Sequence, residues 1–429
     1  MDIGGKVKVT APKGTYDILP PDSQIWQYIE EKAKYIFDKA NYKEIRTPVF
    51  EATELFSRGV GNSTDIVNKE MYTFVQKERS LTLRPENTAG VVRAFIEHGM
   101  SKWLNPVKLW YKGPMFRYER PQAGRQRQFH QLGAEIFGIK EASADAEMIQ
   151  LAMWYLEELN IKNLSLEINN IGCPQCRQKY KDDIKDAVRS MLPEFCEDCN
   201  IRFERNPMRM LDCKNDKCKE LLTQESIEEI VNADYVCEEC SSHFSDLQEY
   251  LKALNIPYTI NKKLVRGLDY YTRTVFEITS TNLGSQNAVC GGGRYDPLVE
   301  MLGGPQTPGF GWAMGMERLI RLMSIDIAFQ LQAFVISDNP KEALKLTEEL
   351  RKLGISCDFD LSNKKFGKQF EKASKLNAKF AVIVGEDELS SGNLTIKDMT
   401  SGSQKTYIRN EALLKISNGT IATDDLNLV

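Results

Sequence analysis

No apolar run in this 429-residue chain is long enough to cross a bilayer, which excludes a membrane-spanning helix. The opening stretch, MDIGGKVKVTAPKGTYD, has no apolar signal region, so the expected compartment is the cytosol. A broad excess of one charge is missing too. With a formal net charge of −4, a nucleic-acid partner would have to be met by local basic patches rather than by a basic coat. The glycine-rich stretches form no GxxxxGK[ST] run, so a nucleotide would not be held by a P-loop. What is present, 42% hydrophobic and 27% charged residues, belongs to a globular protein. The length exceeds one ordinary core and predicts about two to four domains.

Ten cysteines could suggest disulfides, but eight fall in close pairs, and in a cytosolic chain that pattern reads as metal binding. They are Cys173 and Cys176, Cys196 and Cys199, Cys213 and Cys218, and Cys237 and Cys240. A CxxC pair brings two thiolates to one ion from a tight turn, and four thiolates close a tetrahedral zinc shell. Eight ligands fit two such sites. Ribbon-like spacing joins Cys196/Cys199 to Cys213/Cys218, leaving Cys173/Cys176 with Cys237/Cys240. Both sites would be structural rather than catalytic. His243 could replace a cysteine ligand, although a surface histidine is expected, and Cys290 reads as a small buried apolar residue.

Along the chain, Trp26, Ile29, Ala33, Ile36, Phe37 and Ala40 form one stripe of a helix over 22–40. YKEIRTPVFE follows as a strand ended or bent at Pro48. After a short strand at 81–83, Pro85 suits the first turn of a helix running to Glu97, which puts Glu86 and Thr88 at a helix start. The stretch KGPMFRYERPQAGRQRQFHQLGAEIFG, residues 112–138, reads as strand, loop and return strand. It carries Arg117, Arg120, Arg125 and Arg127, and Arg117 and Glu119 would share one strand face. A planar guanidinium on a strand suits a phosphate, and Phe129 offers a ring to a base. The same residues also fit a surface hairpin laced with ion pairs. A helix over 143–159, capped by Ser143, leads to the strand LSLEINNIG.

Beyond the cysteines come three further stretches. RGLDYYTRTVFEITS is a glycine-containing turn entering a strand, NAVCGGGRYD a strand with three successive glycines, and TPGFGWAMGMERLIRLM a glycine-rich strand followed by a helix beginning near Gly315. Such glycines admit close approach of a backbone or ligand. From Gln332 onward strands and helices alternate, predicting a small α/β domain with helices over 341–353 and 364–378. Between Lys364 and Lys379 six lysines stand against one glutamate, which predicts a basic face; the chain then ends in the acidic tail TDDLNLV.

The FRYE run, its loop and the return strand QFHQLGAEIFG resemble the second signature motif of class II aminoacyl-tRNA synthetases, most closely those of the histidyl-tRNA synthetase family. The likeness extends over nearly the whole chain. The helix and Pro48 strand are similar to the first class II motif, which forms a homodimer interface, and GFGWAMGMER is similar to the third. RGLDYY and GGGRYD resemble two histidine-specific motifs. The resemblance implies an α+β catalytic domain built on an antiparallel sheet, divided into 1–168 and 259–328. It also implies a cysteine-rich insertion at 169–258 and an anticodon-binding α/β domain at 329–429.

The family's substrates are ATP with magnesium, L-histidine and tRNA(His). Carried over residue by residue, the resemblance sets Arg117 and Arg266 at the α-phosphate and Arg125 and Arg318 at the outer phosphates. Glu119 and Phe129 would hold adenine. Glu86, Thr88 and Gln131 would bind the α-amino group, with Glu135 and Tyr271 on the imidazole and Tyr270 and Tyr295 walling its pocket. Gln122 and Arg127 become candidates for reading the extra 5′ guanosine of the tRNA. Zinc is not implied, since many members have few cysteines in the insertion; that expectation rests on spacing. Two other readings stand beside this one. A catalytically silent relative, the regulatory subunit of ATP phosphoribosyltransferase, typically lacks the last domain and has eroded motifs. A zinc-dependent nucleic-acid-binding protein would explain the cysteines but not the motifs around them.

Overall fold

Alternation along one strand decides which face of the molecule carries chemistry. In Gln128–Phe137, Leu132, Ala134 and Ile136 enter the main core, so Phe129, Gln131, Gly133, Glu135 and Phe137 face the other way. The neighbouring strand Gly309–Gly315 does the same: Phe310, Trp312 and Met314 join that core, which leaves Gly309, Gly311, Ala313 and Gly315 on the opposite face. These observations come from a computed structural model that describes residues 9–61, 64–121, 125–213, 215–283, 287–323, 331–362 and 364–417.

The strands belong to an eight-stranded sheet in the order Lys43–Glu44, Val107–Phe116, Gln128–Phe137, Gly309–Gly315, Ala288–Arg294, Thr272–Ser280, Leu164–Asn170, Thr259–Ile260. The six central strands are antiparallel, as expected, but each short edge strand pairs parallel, so the sheet is mixed. Helices Asp22–Lys39 and Ala142–Glu158 cover one face. Trp26, Ile29, Ala33, Ile36 and Phe37 are buried there, and the Phe37 ring stacks on Trp110 at 5.0 Å. On the other face helix Thr88–Glu97 packs with Tyr111, Phe137, Tyr270, Tyr271 and Tyr295.

Local reading fails where a distant partner takes a backbone group. The 107–116 strand ends at Phe116; the Arg117 amide still donates to the Arg127 carbonyl at 2.9 Å, but Tyr118 and Glu119 lie beyond the ladder. The Tyr118 amide donates to the Glu70 carbonyl at 2.7 Å, which draws the chain off the sheet. YKEIRTPVFE is not one strand: Lys43–Glu44 joins the large sheet, and Phe50–Ala52 joins a small one with Arg79–Leu83 and Tyr72–Gln76. The helix after Pro85 starts only at Thr88, because the Glu86 carboxylate accepts from the amides of Thr88 and Ala89. Ser143 is not a cap; its helix begins at Ala142, and the residue before it, Glu141, makes no side-chain cap bond.

The cysteine-rich stretch folds into short helices, Pro174–Val188, Glu197–Arg205, Asp216–Leu221 and Glu225–Asn232, followed by the longer Glu238–Ala253. The short helices enclose a core of their own with Ile184, Phe203, Met210 and Ile227. This stretch lies in one compact unit with the large sheet, Met1–Ile325. His243 is not a surface residue: it is 7% exposed, and its Nε2 lies 2.9 Å from Asp145, which also pairs with buried Arg294.

The second unit, Asp326–Val429, is the expected α/β domain. Its five strands run Cys357–Phe359, Ala333–Ile336, Phe380–Ile383, Asn393–Asp398, Gln404–Ile408. Helices Pro340–Lys352 and Phe366–Lys375 occupy the two predicted helical stretches. Lys364, Lys365, Lys368 and Lys375 are exposed, whereas Lys372 pairs with Asp360 at 3.3 Å. The acidic tail lies outside the described residues.

Candidate functional site

On the glycine-rich face of the large sheet lies a cavity of about 290 Å³. Arg117, Arg125, Arg266 and Arg318 all line it, although 201 positions separate the first from the last. Glu86, Thr88, Glu119, Phe129, Gln131, Tyr270 and Tyr271 line it as well. The Arg117 Nε donates to the Pro85 carbonyl at 2.8 Å, which turns its guanidinium to 5.3 Å from the centre of the Phe129 ring. Arg125 is held by Glu119 at 2.9 Å, Arg266 by Glu277, and Arg318 donates to the Ala288 carbonyl. A Cβ on Gly291 would overlap the Arg266 guanidinium, so that glycine is what lets the cation lie flat against the sheet. Burial, then the neighbouring Arg125, pushes the Arg318 pKa down, the sign of cations crowded where an anion would relieve them.

The cavity lining also offers acceptors. Gln131 contributes a buried side-chain oxygen that has no partner among the described residues, an acceptor left open for a donor. Glu86 is buried beside it, and burial raises its pKa against the opposing pull of the Ala89 and Thr88 amides.

Glu135 and Tyr295 are not brought to the cavity wall; they lie behind it. Glu135 is fully buried and accepts from Thr88 Oγ1 at 2.7 Å, from Tyr295 at 2.5 Å and from Tyr111 at 3.4 Å. A Cβ on Gly311 would coincide with its carboxylate. Burial pushes the Glu135 pKa up to about 8, with the three hydroxyls pulling the other way. Thr88 thus links the wall to this inner carboxylate. Arg127 does not line the cavity either. It packs its stem on Gly14, sets its guanidinium 4.0 Å from the Tyr118 ring centre and donates to the Glu119 carbonyl at 3.3 Å. Gln122 lies outside the described residues.

Sequence reasoning missed Glu317, which lines the cavity and accepts from the His130 amide at 2.9 Å. Its position next to Arg318 in MGMER was the available signal. It also missed Asp145, His243 and Arg294, a buried cluster that no local pattern links because each lies on a different element.

The eight paired cysteines gather into the two expected groups. In each, one sulfur from every residue lies within 4.8 Å of the others. The sulfurs of Cys173 and Cys176 are 3.4 Å apart, those of Cys196 and Cys213 3.8 Å. A tetrahedral zinc shell sets its sulfurs about 3.8 Å apart, so the residues fit that ion. Cys173, Cys196 and Cys237 each sit at a helix N-cap, where the dipole favours thiolate. The amide of Cys237 donates to the Cys176 sulfur at 3.1 Å, and that of Cys196 to the Cys218 sulfur at 3.3 Å.

A mixed sheet with six antiparallel central strands, carrying spatially convergent arginines from the FRYE, RGLDYY and MER stretches, is the class II aminoacyl-tRNA synthetase fold. A family profile for histidyl-tRNA synthetases matches residues 14–319, and one for an anticodon-binding domain matches residues 332–418. The chain is 49% identical over 405 residues to a histidine–tRNA ligase of Clostridium novyi, covering 92% of this chain and 95% of that protein. A histidine–tRNA ligase of Halothermothrix orenii is 48% identical, over 92% of this chain and 96% of its own. The crystal structure of apo histidyl-tRNA synthetase from S. aureus superimposes with a TM-score of 0.79 at 37% identity, covering 96% of this chain and all of that one. The chain belongs to the histidyl-tRNA synthetase family.

Proposed function

We infer that this protein is an ATP-dependent ligase that activates L-histidine to histidyl-adenylate and passes the histidyl group to the 3′ end of tRNA(His). The single observation that carries this reading is the convergence of Arg117, Arg266 and Arg318 on one cavity that also holds the open Gln131 acceptor. The first step is an in-line attack of the histidine carboxylate on the α-phosphorus of ATP. That carboxylate is ionised at neutral pH, so no protein base is needed. The protein must align the reactants and stabilise charge growing on phosphate oxygens. Arg117 and Arg266 serve the α-phosphate, Arg125 and Arg318 the outer phosphates, and Glu119 and Phe129 the adenine. Magnesium bound with ATP would supply further positive charge, and Glu317, a carboxylate in the cavity lining, would be a candidate ligand for it.

Glu86, Thr88 and Gln131 bind the ammonium of histidine; Tyr271, with Tyr270, meets the imidazole at the wall, while Glu135 and Tyr295 act from behind it by fixing Thr88. Buried polar partners reject amino acids that leave them unpaired. Gln122 and Arg127 belong to tRNA reading, residues 169–258 to a zinc-bearing insertion, and 329–429 to the anticodon. The active species is a cytoplasmic homodimer. The two cysteine groups hold one zinc each, which supplies a structural crosslink and takes no part in the chemistry. Intact RGLDYY and GGGRYD motifs and the anticodon-domain match weigh against the silent regulatory subunit.

Histidine-dependent exchange of labelled pyrophosphate into ATP tests the reading. Exchange with histidine and with no other amino acid is expected; its absence from folded, zinc-loaded protein would refute it.

A further inference from the structure

The cysteine group Cys173, Cys176, Cys237 and Cys240 stands directly behind the pocket residue Tyr271, and three contacts join them. Arg177, on the helix that Cys173 caps, donates from Nη1 to the Tyr271 carbonyl at 2.8 Å. The Gly172 carbonyl, adjacent to Cys173, accepts from the Arg273 amide at 2.9 Å. Arg273 in turn pairs with Glu239, which lies between Cys237 and Cys240, at 2.7 Å. Arg273 itself has φ of 52°, a left-handed conformation that a non-glycine residue keeps only where its surroundings impose it. So the peptide from Tyr271 to Arg273 is held in a disfavoured geometry by groups attached to both halves of one four-sulfur site.

We propose that the zinc-loaded site formed by Cys173, Cys176, Cys237 and Cys240 sets histidine affinity, with Arg177 and Arg273 as positioning residues that fix Tyr271 in the pocket. Without the ion, the CPQC and CEEC turns are no longer tied to one another, and the clamp on residues 271–273 opens. The inference rests on the histidine–tRNA ligase reading and adds to it a dependence of the pocket on the insertion. Its effect falls on histidine more than on ATP, because Arg117, Arg125, Arg266 and Arg318 are held by other groups, the Pro85 carbonyl, Glu119, Glu277 and the Ala288 carbonyl.

The test uses the full chain with zinc content measured by mass spectrometry, histidine affinity by calorimetry without ATP, and steady-state pyrophosphate exchange. Arg177→Ala should keep its zinc and weaken histidine binding about fivefold to tenfold, the equivalent of one hydrogen bond. The KM for histidine should rise in step, with kcat and the KM for ATP little changed, and Arg177→Lys should recover most of the loss. Glu239→Gln, at a carboxylate that is 74% exposed, should show a smaller loss of the same kind. Cys237→Ser should release the metal of this site alone and weaken histidine binding, and adding Arg177→Ala to it should cost less than the sum of the two single changes.

Unchanged histidine affinity in Arg177→Ala and Glu239→Gln would overturn the proposal. If Arg177→Ala does not fold, Glu239→Gln and Cys237→Ser decide it in the same way. Unaltered protein that neither binds histidine nor exchanges pyrophosphate would instead overturn the ligase reading itself.

Discussion

At the scale of single residues, Glu135 is the most informative side chain in the molecule. It is fully buried, and burial lifts its pKa from 4.5 to about 8. The unfolded chain gives up that proton above about 4.5, the folded chain only near 8, so the unfolded state binds fewer protons between those limits. The contribution of this group to stability is therefore greatest in acid and is lost as pH rises toward 8, with no further loss above it. Glu135→Gln keeps the shape and has no such titration. The melting temperature of the unaltered protein relative to this variant should fall from pH 5 to about 8 and then level off. A difference that stays flat across that range would show that Glu135 is ionised throughout. Arg266 makes a different case. In its proposed role at the α-phosphate its contact would strengthen as charge grows there, so Arg266→Ala should lower the adenylation rate about a hundredfold or more while histidine affinity changes far less. Single-turnover adenylation measures this, and an unchanged rate would remove the assignment. The identity of both residues was legible through motif resemblance. The depth of Glu135 was not, because its three hydroxyl partners come from Thr88, Tyr111 and Tyr295, and only the folded sheet brings these together.

Among elements, what the sequence could tell depended on where each backbone partner lies. The stripe on the first helix and the alternation in Gln128–Phe137 are local consequences of periods of 3.6 and 2, and both appear in the fold. The end of the strand at Phe116 is not local, since a carbonyl 48 positions away takes the Tyr118 amide. Cysteine spacing was readable for a related reason: each CxxC places its first sulfur at a helix cap and its second one turn on, whatever surrounds it. The second group, Cys196, Cys199, Cys213 and Cys218, clamps helix Glu197–Arg205 to the turn Pro207–Asp212. These two elements send Arg202 and Arg209 to Asp65, at 3.1 and 3.3 Å, and Asn206 to Asp269 at 2.8 Å. Cys199→Ser should lose one zinc of the pair and expose this stretch to proteolysis, since buried small-helix cores of this size depend on such crosslinks. Metal analysis with limited proteolysis checks it. Full zinc content in the variant, or less than one zinc per chain in the unaltered protein, would sink the assignment.

For the whole molecule, the change of pattern at Gln332 was as legible as any motif, because strand and helix alternate there in a way the preceding stretch does not. The chain clusters into two compact units, Met1–Ile325 and Asp326–Val429. The cores around Trp312 and Tyr271 draw only on residues of Met1–Ile325, and those around Val335 and Phe334 only on residues of Asp326–Val429. Each unit encloses its own apolar interior, the condition for folding alone. Every residue assigned here to ATP and histidine lies in the first unit, whereas the anticodon-binding match lies in the second. The two half-reactions should therefore separate. A chain ending at residue 325 should fold, retain both zincs and exchange pyrophosphate with histidine within about tenfold of the full-length rate. With the second unit in its proposed role of binding the tRNA, transfer of histidine to tRNA should fall much further. Zinc content and circular dichroism establish that the shortened chain is folded before either rate is compared. If that folded chain has lost pyrophosphate exchange as completely as aminoacylation, activation depends on the second unit, and the confinement of the chemistry to the large sheet is wrong.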